Sequence, residues 1–220
     1  MKYPINEVFE TIQGEGSHTG VPAIFVRLQG CDVGCSWCDT KQTWALEPQN
    51  QVAMDEVIQV DGTIGRWSML TPSELISRIA KFNAKLVVVT GGEPAMYDLM
   101  ALSLELERAG YQVQLETSGT YPISISDNAF VTVSPKVNMQ GKKTVLKSAL
   151  ERANEIKHPV ATAAHIDDLN ELLAQIDSNG KAICLQPISQ KPRATELAIA
   201  TCIANNWRLS IQTHKYINID

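Results

Sequence analysis

The sequence predicts an α/β fold, an open partial (β/α) barrel built on a parallel sheet, and three observations carry that prediction. Short apolar runs alternate with helix-like stretches through most of the 220 residues, the order expected of parallel strands joined by right-handed helical crossovers. Leu86-Val87-Val88-Val89 is continuously apolar and rich in β-branched side chains, as a strand buried on both faces has to be. The strand and helix units are too few for a closed eight-unit barrel, which typically takes about 250 residues. In folds of this class, functional groups collect at the carboxyl ends of the strands.

Residues 23–28 read as the first strand, which delivers the chain into a cysteine-rich loop. Thr71-Pro72-Ser73-Glu74 supplies an N-cap threonine, a proline at the first helical position and a glutamate that completes a capping box, so a helix is expected from there to about residue 82. The strand at 86–89 follows, then a helix over 99–109 closed by Gly110, and strands over 113–116 and 131–134. A helix over 145–152, a strand over 156–160, a helix over 167–176, a strand over 182–186, a helix over 195–205 and a strand over 208–212 complete the pattern. Between 43 and 70 the alternation lapses into polar sequence with Pro48, Gly62 and Gly65. That stretch reads as an insertion, a lid or an ordinary surface excursion, within a single domain spanning 1–220.

A net charge of −5 argues against a general nucleic-acid binder, which needs a basic face to neutralise phosphates. Met1-Lys2-Tyr3-Pro4-Ile5-Asn6 lacks an apolar signal core, and no later run is long enough to cross a bilayer, so no membrane contact and a cytoplasmic location are expected. Five cysteines, three of them clustered, do not form the pattern of a disulfide framework. Cys184 and Cys202 sit in apolar contexts and read as buried small hydrophobes.

Chemistry is announced by Cys31-Asp32-Val33-Gly34-Cys35-Ser36-Trp37-Cys38. Three thiolates on one short loop can hold a 4Fe-4S cluster while leaving one iron without a protein ligand. A zinc knuckle completed by His18 or His214 is the plainer alternative. The Cys-x3-Cys-x2-Cys spacing, with an aromatic before the third cysteine, resembles the radical S-adenosylmethionine (SAM) enzymes. That resemblance implies a 4Fe-4S cluster on Cys31, Cys35 and Cys38, with SAM on the open iron. Thr90-Gly91-Gly92-Glu93-Pro94, after the 86–89 strand, is similar to the glycine-rich motif that binds the methionine end of SAM in that family. Glu116, Ser134-Pro135-Lys136 and Gln186-Pro187-Ile188-Ser189 end further strands, where each could be a SAM contact or simply a turn.

Glu10-Thr11-Ile12-Gln13-Gly14-Glu15-Gly16, Gly20 to Leu28, Cys38-Asp39-Thr40 and Gln212-Thr213-His214-Lys215 together look like the 7-carboxy-7-deazaguanine synthase family of queuosine biosynthesis, across nearly the whole chain. The resemblance implies a carbon-nitrogen lyase. Its reaction is the ring contraction of 6-carboxy-5,6,7,8-tetrahydropterin to 7-carboxy-7-deazaguanine with loss of ammonia, using SAM and Mg2+. It puts Ile12, Gln13, Gly14, Arg27, Thr90 and His214 on the pterin, Thr40 on magnesium, and Trp37, Cys38, Asp39 and Gly92 on SAM. A reductase or flavodoxin-type electron donor and a homodimer are expected on the same ground. Plainer roles remain open: Arg27 as a surface charge, Thr40 and Thr90 as caps, Trp37 as core, His214 as a structural histidine. A glycyl-radical activating enzyme shares the cluster and SAM motifs and is the nearer rival, and a zinc-stabilised binding module is the more distant one.

Overall fold

A computed structural model describes residues 1–57 and 65–219. Among these residues the strands form one nine-stranded sheet. Strands β1 (Tyr3–Ile12) and β2 (Pro22–Leu28) make an antiparallel hairpin, and β3 (Ser68–Leu70) pairs antiparallel with β1 at the sheet's outer edge. From β2 onward the sheet is parallel through β4 (Leu86–Gly91), β5 (Gln112–Thr117), β6 (Phe130–Val133), β7 (Glu155–Val160), β8 (Ala182–Pro187) and β9 (Arg208–Leu209). The order is β3-β1-β2-β4-β5-β6-β7-β8-β9, so the two ends do not meet and the barrel stays open.

The expected parallel sheet is therefore mixed, because β1 and β3 join it antiparallel. Polar residues hid β1 in the sequence. A register shift between Ile5 and Glu7 leaves Asn6 buried, and its Nδ2 donates to Gln29 Oε1 and to the Arg66 carbonyl, both at 2.8 Å. The 43–70 stretch is likewise less separate than expected. It carries a helix, α1 (Met54–Val57), and ends in β3 with Trp67 buried, while residues 58–64 lie outside the described residues.

Helices α2 (Pro72–Ile79), α3 (Met100–Arg108), α4 (Lys147–Arg152), α5 (Ala163–Leu173) and α6 (Pro192–Asn205) follow the expected alternation, with shifted ends. Helix α2 stops three residues before the expected end, and α5 starts at Ala163 rather than 167, after Thr162 in extended conformation. The last strand is only two residues long, and the chain turns instead into α7 (Thr213–Ile217). Among the described residues no helix is long and apolar enough to cross a membrane.

Strand alternation sorts the side chains. Val113, Leu115, Val131, Val133 and Ile156 pack with helix residues Leu102, Leu106, Leu150 and Leu169 in one apolar core. The intervening Gln114, Thr132, Glu155 and Lys157 are buried as well, but on the other face, where polar groups meet polar groups. That face lines the interior of the partial barrel.

At the start of α2, Thr71 Oγ1 accepts from the Glu74 amide at 3.2 Å while a Glu74 carboxylate oxygen accepts from the Thr71 amide at 2.7 Å. Thr71→Ala should lower unfolding free energy by about 1 kcal/mol in a urea titration without changing iron content. Stability equal to the parent would show that this box contributes nothing here.

Candidate active site

The cysteine loop is held at both ends by backbone and by one buried amide. Gln29, fully buried just after β2, donates through Nε2 to the carbonyls of Gln42 at 2.8 Å and Ala45 at 2.7 Å. The Gly30 and Cys31 amides donate to the Thr43 and Trp44 carbonyls at 2.7 and 3.0 Å. Beyond β6 the chain folds back on the loop, with the Gly141 amide 3.0 Å from the Val33 carbonyl. Asp32 pairs with Lys143 at 2.7 Å and accepts from the Tyr121 hydroxyl at 2.6 Å.

The Gly-Gly-Glu segment after β4 locks onto the same loop. The Gly92 amide donates to the Leu28 carbonyl and the Glu93 amide to the Gly30 carbonyl, both at 2.8 Å. A Cβ at Gly92 would lie 2.0 Å from the Gly30 carbonyl oxygen, and one at Gly91, whose φ is +111°, would lie 2.3 Å from the Leu28 nitrogen. Only glycines fit that approach. The buried Glu93 carboxylate then accepts from the Ala95 amide at 2.9 Å, the Thr117 hydroxyl at 2.5 Å, and the Ser118 amide and hydroxyl. The ends of β2, β4 and β5 are thereby joined.

These strand ends surround a cavity of about 360 Å³. Every residue to which the resemblance gives a cluster, SAM, magnesium or substrate role lines it except Pro135, which is buried; His18, the alternative zinc ligand, does not line it. Cys31, Cys35 and Cys38 carry free thiols on this wall, whereas Cys184 and Cys202 are buried away from it. Burial pushes the Cys31 thiol up to about 11 and raises that of Cys35, so metal loading has to displace their protons. Among the described residues no three His, Cys, Asp or Glu side chains gather as ligands of a single ion. A 4Fe-4S cluster takes its cysteine thiolates on separate irons, which three free thiols on one short loop can supply. His18 is occupied elsewhere: its Nδ1 is 2.9 Å from Gln114 Oε1 and its ring lies against Phe130.

Trp37, Asp39, Gly92, Glu116, Ser134, Lys136, Gln186, Pro187, Ile188 and Ser189 share the cavity wall with the cysteines. Lys136 is half-buried, its desolvation lowers its pKa, and it donates to Ser134 Oγ at 2.6 Å. Thr40 makes no side-chain cap bond. Its Oγ1 lies 3.7 Å from Cys38 Sγ and lines the cavity.

Ile12, Gln13, Gly14, Arg27, Thr90 and His214 line the same cavity. Arg27 and Thr90 are register partners on β2 and β4. Glu7 takes Arg27 Nε at 2.5 Å, and the guanidinium lies 5.8 Å from the Phe9 ring centroid. The Gln13 carboxamide is engaged within the protein, donating to Glu116 Oε1 at 3.0 Å and accepting from the Glu15 amide at 3.1 Å. His214 is pressed against Gly14, where a Cβ would meet its Nδ1 at 2.4 Å.

Sequence reading assigned no role to Glu15, Glu93, Thr117, Ser118, Trp44, Lys157 or Gln212, all on the cavity wall. Lys157 carried a visible signal, a lysine inside an expected buried strand. Its ammonium lies 2.5 Å from Glu15 and 3.3 Å from Glu116. Burial alone would raise the Glu15 carboxyl, but the Lys157 charge and hydrogen bond, with a further bond from Gln212, hold it at about 2. The two carboxylates keep Lys157 protonated against its own burial.

The radical SAM superfamily profile matches residues 25–135. The chain is 53% identical to the 7-carboxy-7-deazaguanine synthase of Escherichia coli (strain K12) and 48% identical to that of Buchnera aphidicola, covering 100% of both chains in each case. It is 37% identical to the synthase of Flavobacterium psychrophilum, over 98% of this chain and 92% of the relative. The crystal structure of QueE from Escherichia coli superposes with a TM-score of 0.94 at 52% identity, over 96% of this chain and 94% of that one.

Gly92→Ala should force the Gly30 carbonyl away and strip the reconstituted protein of most of its iron. Gly110→Ala, where φ is +87° and no atom lies within 4 Å of an added Cβ, should cost only about 1 kcal/mol and keep the metal. Iron assay and thermal melting of both variants decide this, and parent-like iron in Gly92→Ala would show that the close approach does not position the loop.

Proposed function

Because the chain belongs to the 7-carboxy-7-deazaguanine synthase family of the radical SAM superfamily, we propose that it contracts 6-carboxy-5,6,7,8-tetrahydropterin to 7-carboxy-7-deazaguanine with loss of ammonia, in queuosine biosynthesis. The observation that carries this reading is the single cavity, where three free thiols and the Gly91-Gly92 loop face Arg27, Thr90 and the 12–14 loop. When bound, a reduced 4Fe-4S cluster with SAM supplies a 5′-deoxyadenosyl radical that takes hydrogen from the substrate.

The chain's own residues bind, orient and shield. Cys31, Cys35 and Cys38 hold the cluster. Gly92 offers backbone to the methionine end of SAM. The other Glu116 oxygen, not the one joined to Gln13 and Lys157, faces a ribose hydroxyl. Trp37, Asp39, Ser134, Pro135, Lys136 and the 186–189 segment complete the SAM wall. Thr40 gives magnesium a hard oxygen, in keeping with that ion's preference. Arg27 reads the substrate carboxylate through its two terminal nitrogens, since Glu7 already holds Nε and fixes the plane of the fork. Thr90, His214 and the backbone of Ile12, Gln13 and Gly14 take the ring edge. A reductase or flavodoxin-type protein delivers the electron, and the enzyme works as a cytoplasmic homodimer. The glycyl-radical activating reading loses ground, because full-length relatives are named for making a small molecule.

Reconstituted enzyme given SAM, magnesium, reductant and the carboxypterin should form the deazapurine. Cys31→Ala, Cys35→Ala and Cys38→Ala should each abolish SAM cleavage, whereas Cys184→Ala and Cys202→Ala should retain iron and turnover. Full activity in Cys35→Ala, or no product from iron-loaded parent, would sink the assignment.

Arg27→Ala should cut kcat/KM by roughly tenfold to a few hundredfold, the worth of one charge-assisted hydrogen bond. Arg27→Lys should restore only part of this, having charge without the planar fork. If a tetrahydropterin lacking the carboxylate loses as much affinity for Arg27→Ala as the true substrate does, Arg27 is not reading that group.

A further inference from the structure

Lys157 is a buried cation on the cavity wall to which the reading above gives no task. Its side chain is 4% exposed, and it sits in the middle of β7 on the cavity wall. The ammonium reaches Glu15 Oε2 at 2.5 Å and Glu116 Oε1 at 3.3 Å, and the same Glu116 oxygen accepts from Gln13 Nε2 at 3.0 Å. Glu15 Oε1 accepts from Gln212 Nε2 at 2.8 Å, which brings in the segment before α7. One cation thus joins the end of β5, the middle of β7, the loop after β1 and the C-terminal segment.

Farther along the β1–β2 loop the hydrogen-bonded anchors do not include Lys157, although its charge also acts on Glu155. The Gly16 amide donates to Ser210 Oγ at 2.9 Å, the Ser17 amide to Glu155 Oε2 at 2.6 Å, and His18 pairs with Gln114. Residues 16–18 would stay docked without the lysine. Residues 12–15, which face the cavity, would lose the ion pair that draws Glu15 toward β5 and β7.

We propose that Lys157 is a positioning residue for the ring system of the substrate. By pairing with Glu15 and Glu116 it fixes the 12–15 loop against the end of β5, so that the backbone at Ile12, Gln13 and Gly14 meets the substrate already ordered. This rests on the reading that the loop receives a bicyclic pterin. Lysine suits the position because a compact ammonium can donate to two carboxylates in different directions.

The test compares the parent with Lys157→Met, Lys157→Arg and Glu15→Gln as reconstituted enzymes. KM and kcat are measured at saturating SAM, and substrate Kd by calorimetry without reductant. Lys157→Met should raise KM and Kd roughly tenfold or more, as loss of a charge-assisted bond implies, with iron content retained. Lys157→Arg should recover part of the affinity, and Glu15→Gln should show a smaller rise, since Lys157 keeps Glu116. A fall in kcat with KM unmoved would mark a merely structural role and overturn the proposal, as would parent-like Kd in Lys157→Met. If Lys157→Met does not fold, parent-like KM in Glu15→Gln overturns it in the same way. Failure of the parent itself to bind the carboxypterin would overturn the functional reading and this proposal together, whereas failure confined to the variants touches only Lys157.

Discussion

The backbone contact between the cysteine loop and the Gly91-Gly92 turn is the constraint on which the site depends. Two parallel strands end side by side, and each sends its next residues across the same narrow space. The chains can share it only because Gly91 and Gly92 carry no side chains there. The Gly92 and Glu93 amides then donate to the Leu28 and Gly30 carbonyls, so the close approach is itself hydrogen-bonded. Glu93 extends the join to the end of β5 through three of its four accepted hydrogen bonds, which makes a carboxylate without a proposed ligand the brace of the site.

A second consequence follows from the open barrel. A sheet that closes on itself fills its interior with side chains, but this one leaves the interior face to polar groups and to the β1–β2 loop. Glu15, Ser17 and His18 from that loop reach Lys157, Glu155 and Gln114 on the strands. The loop is therefore part of the barrel's filling as well as part of the cavity wall. Buried charges of this kind are costly unless paired, and here each is met by an opposite charge or by donors. The sheet edges are guarded differently: β3 has three residues and β9 two, and strands so short offer little backbone to a foreign chain.

Much of the fold was legible because burial in a parallel sheet writes itself as uninterrupted apolar runs. The 86–89 strand and the capping box at Thr71 are cases where local chemistry and final structure agree. Strand β1 was not legible, since Asn6, Glu7 and Glu10 break the apolar pattern and find their partners in Gln29, Arg27 and the backbone at 83 and 84, far along the chain. The 43–70 stretch misled for a related reason: a three-residue edge strand has too few positions to show a period.

By itself the sequence determined the identity of the cysteine loop, the strand-end positions of the site residues and the resemblance that names the chemistry, because all of these are carried by short runs of neighbouring residues. Tertiary structure alone decided that Arg27 stands beside Thr90 and has its Nε taken by Glu7. It also decided that the Gln13 carboxamide is spent on Glu116, and that Lys157 lies between Glu15 and Glu116. The physical reason is that such pairings depend on strand order and register across the sheet, which join residues from 20 to 142 positions apart and leave no periodic mark in the chain.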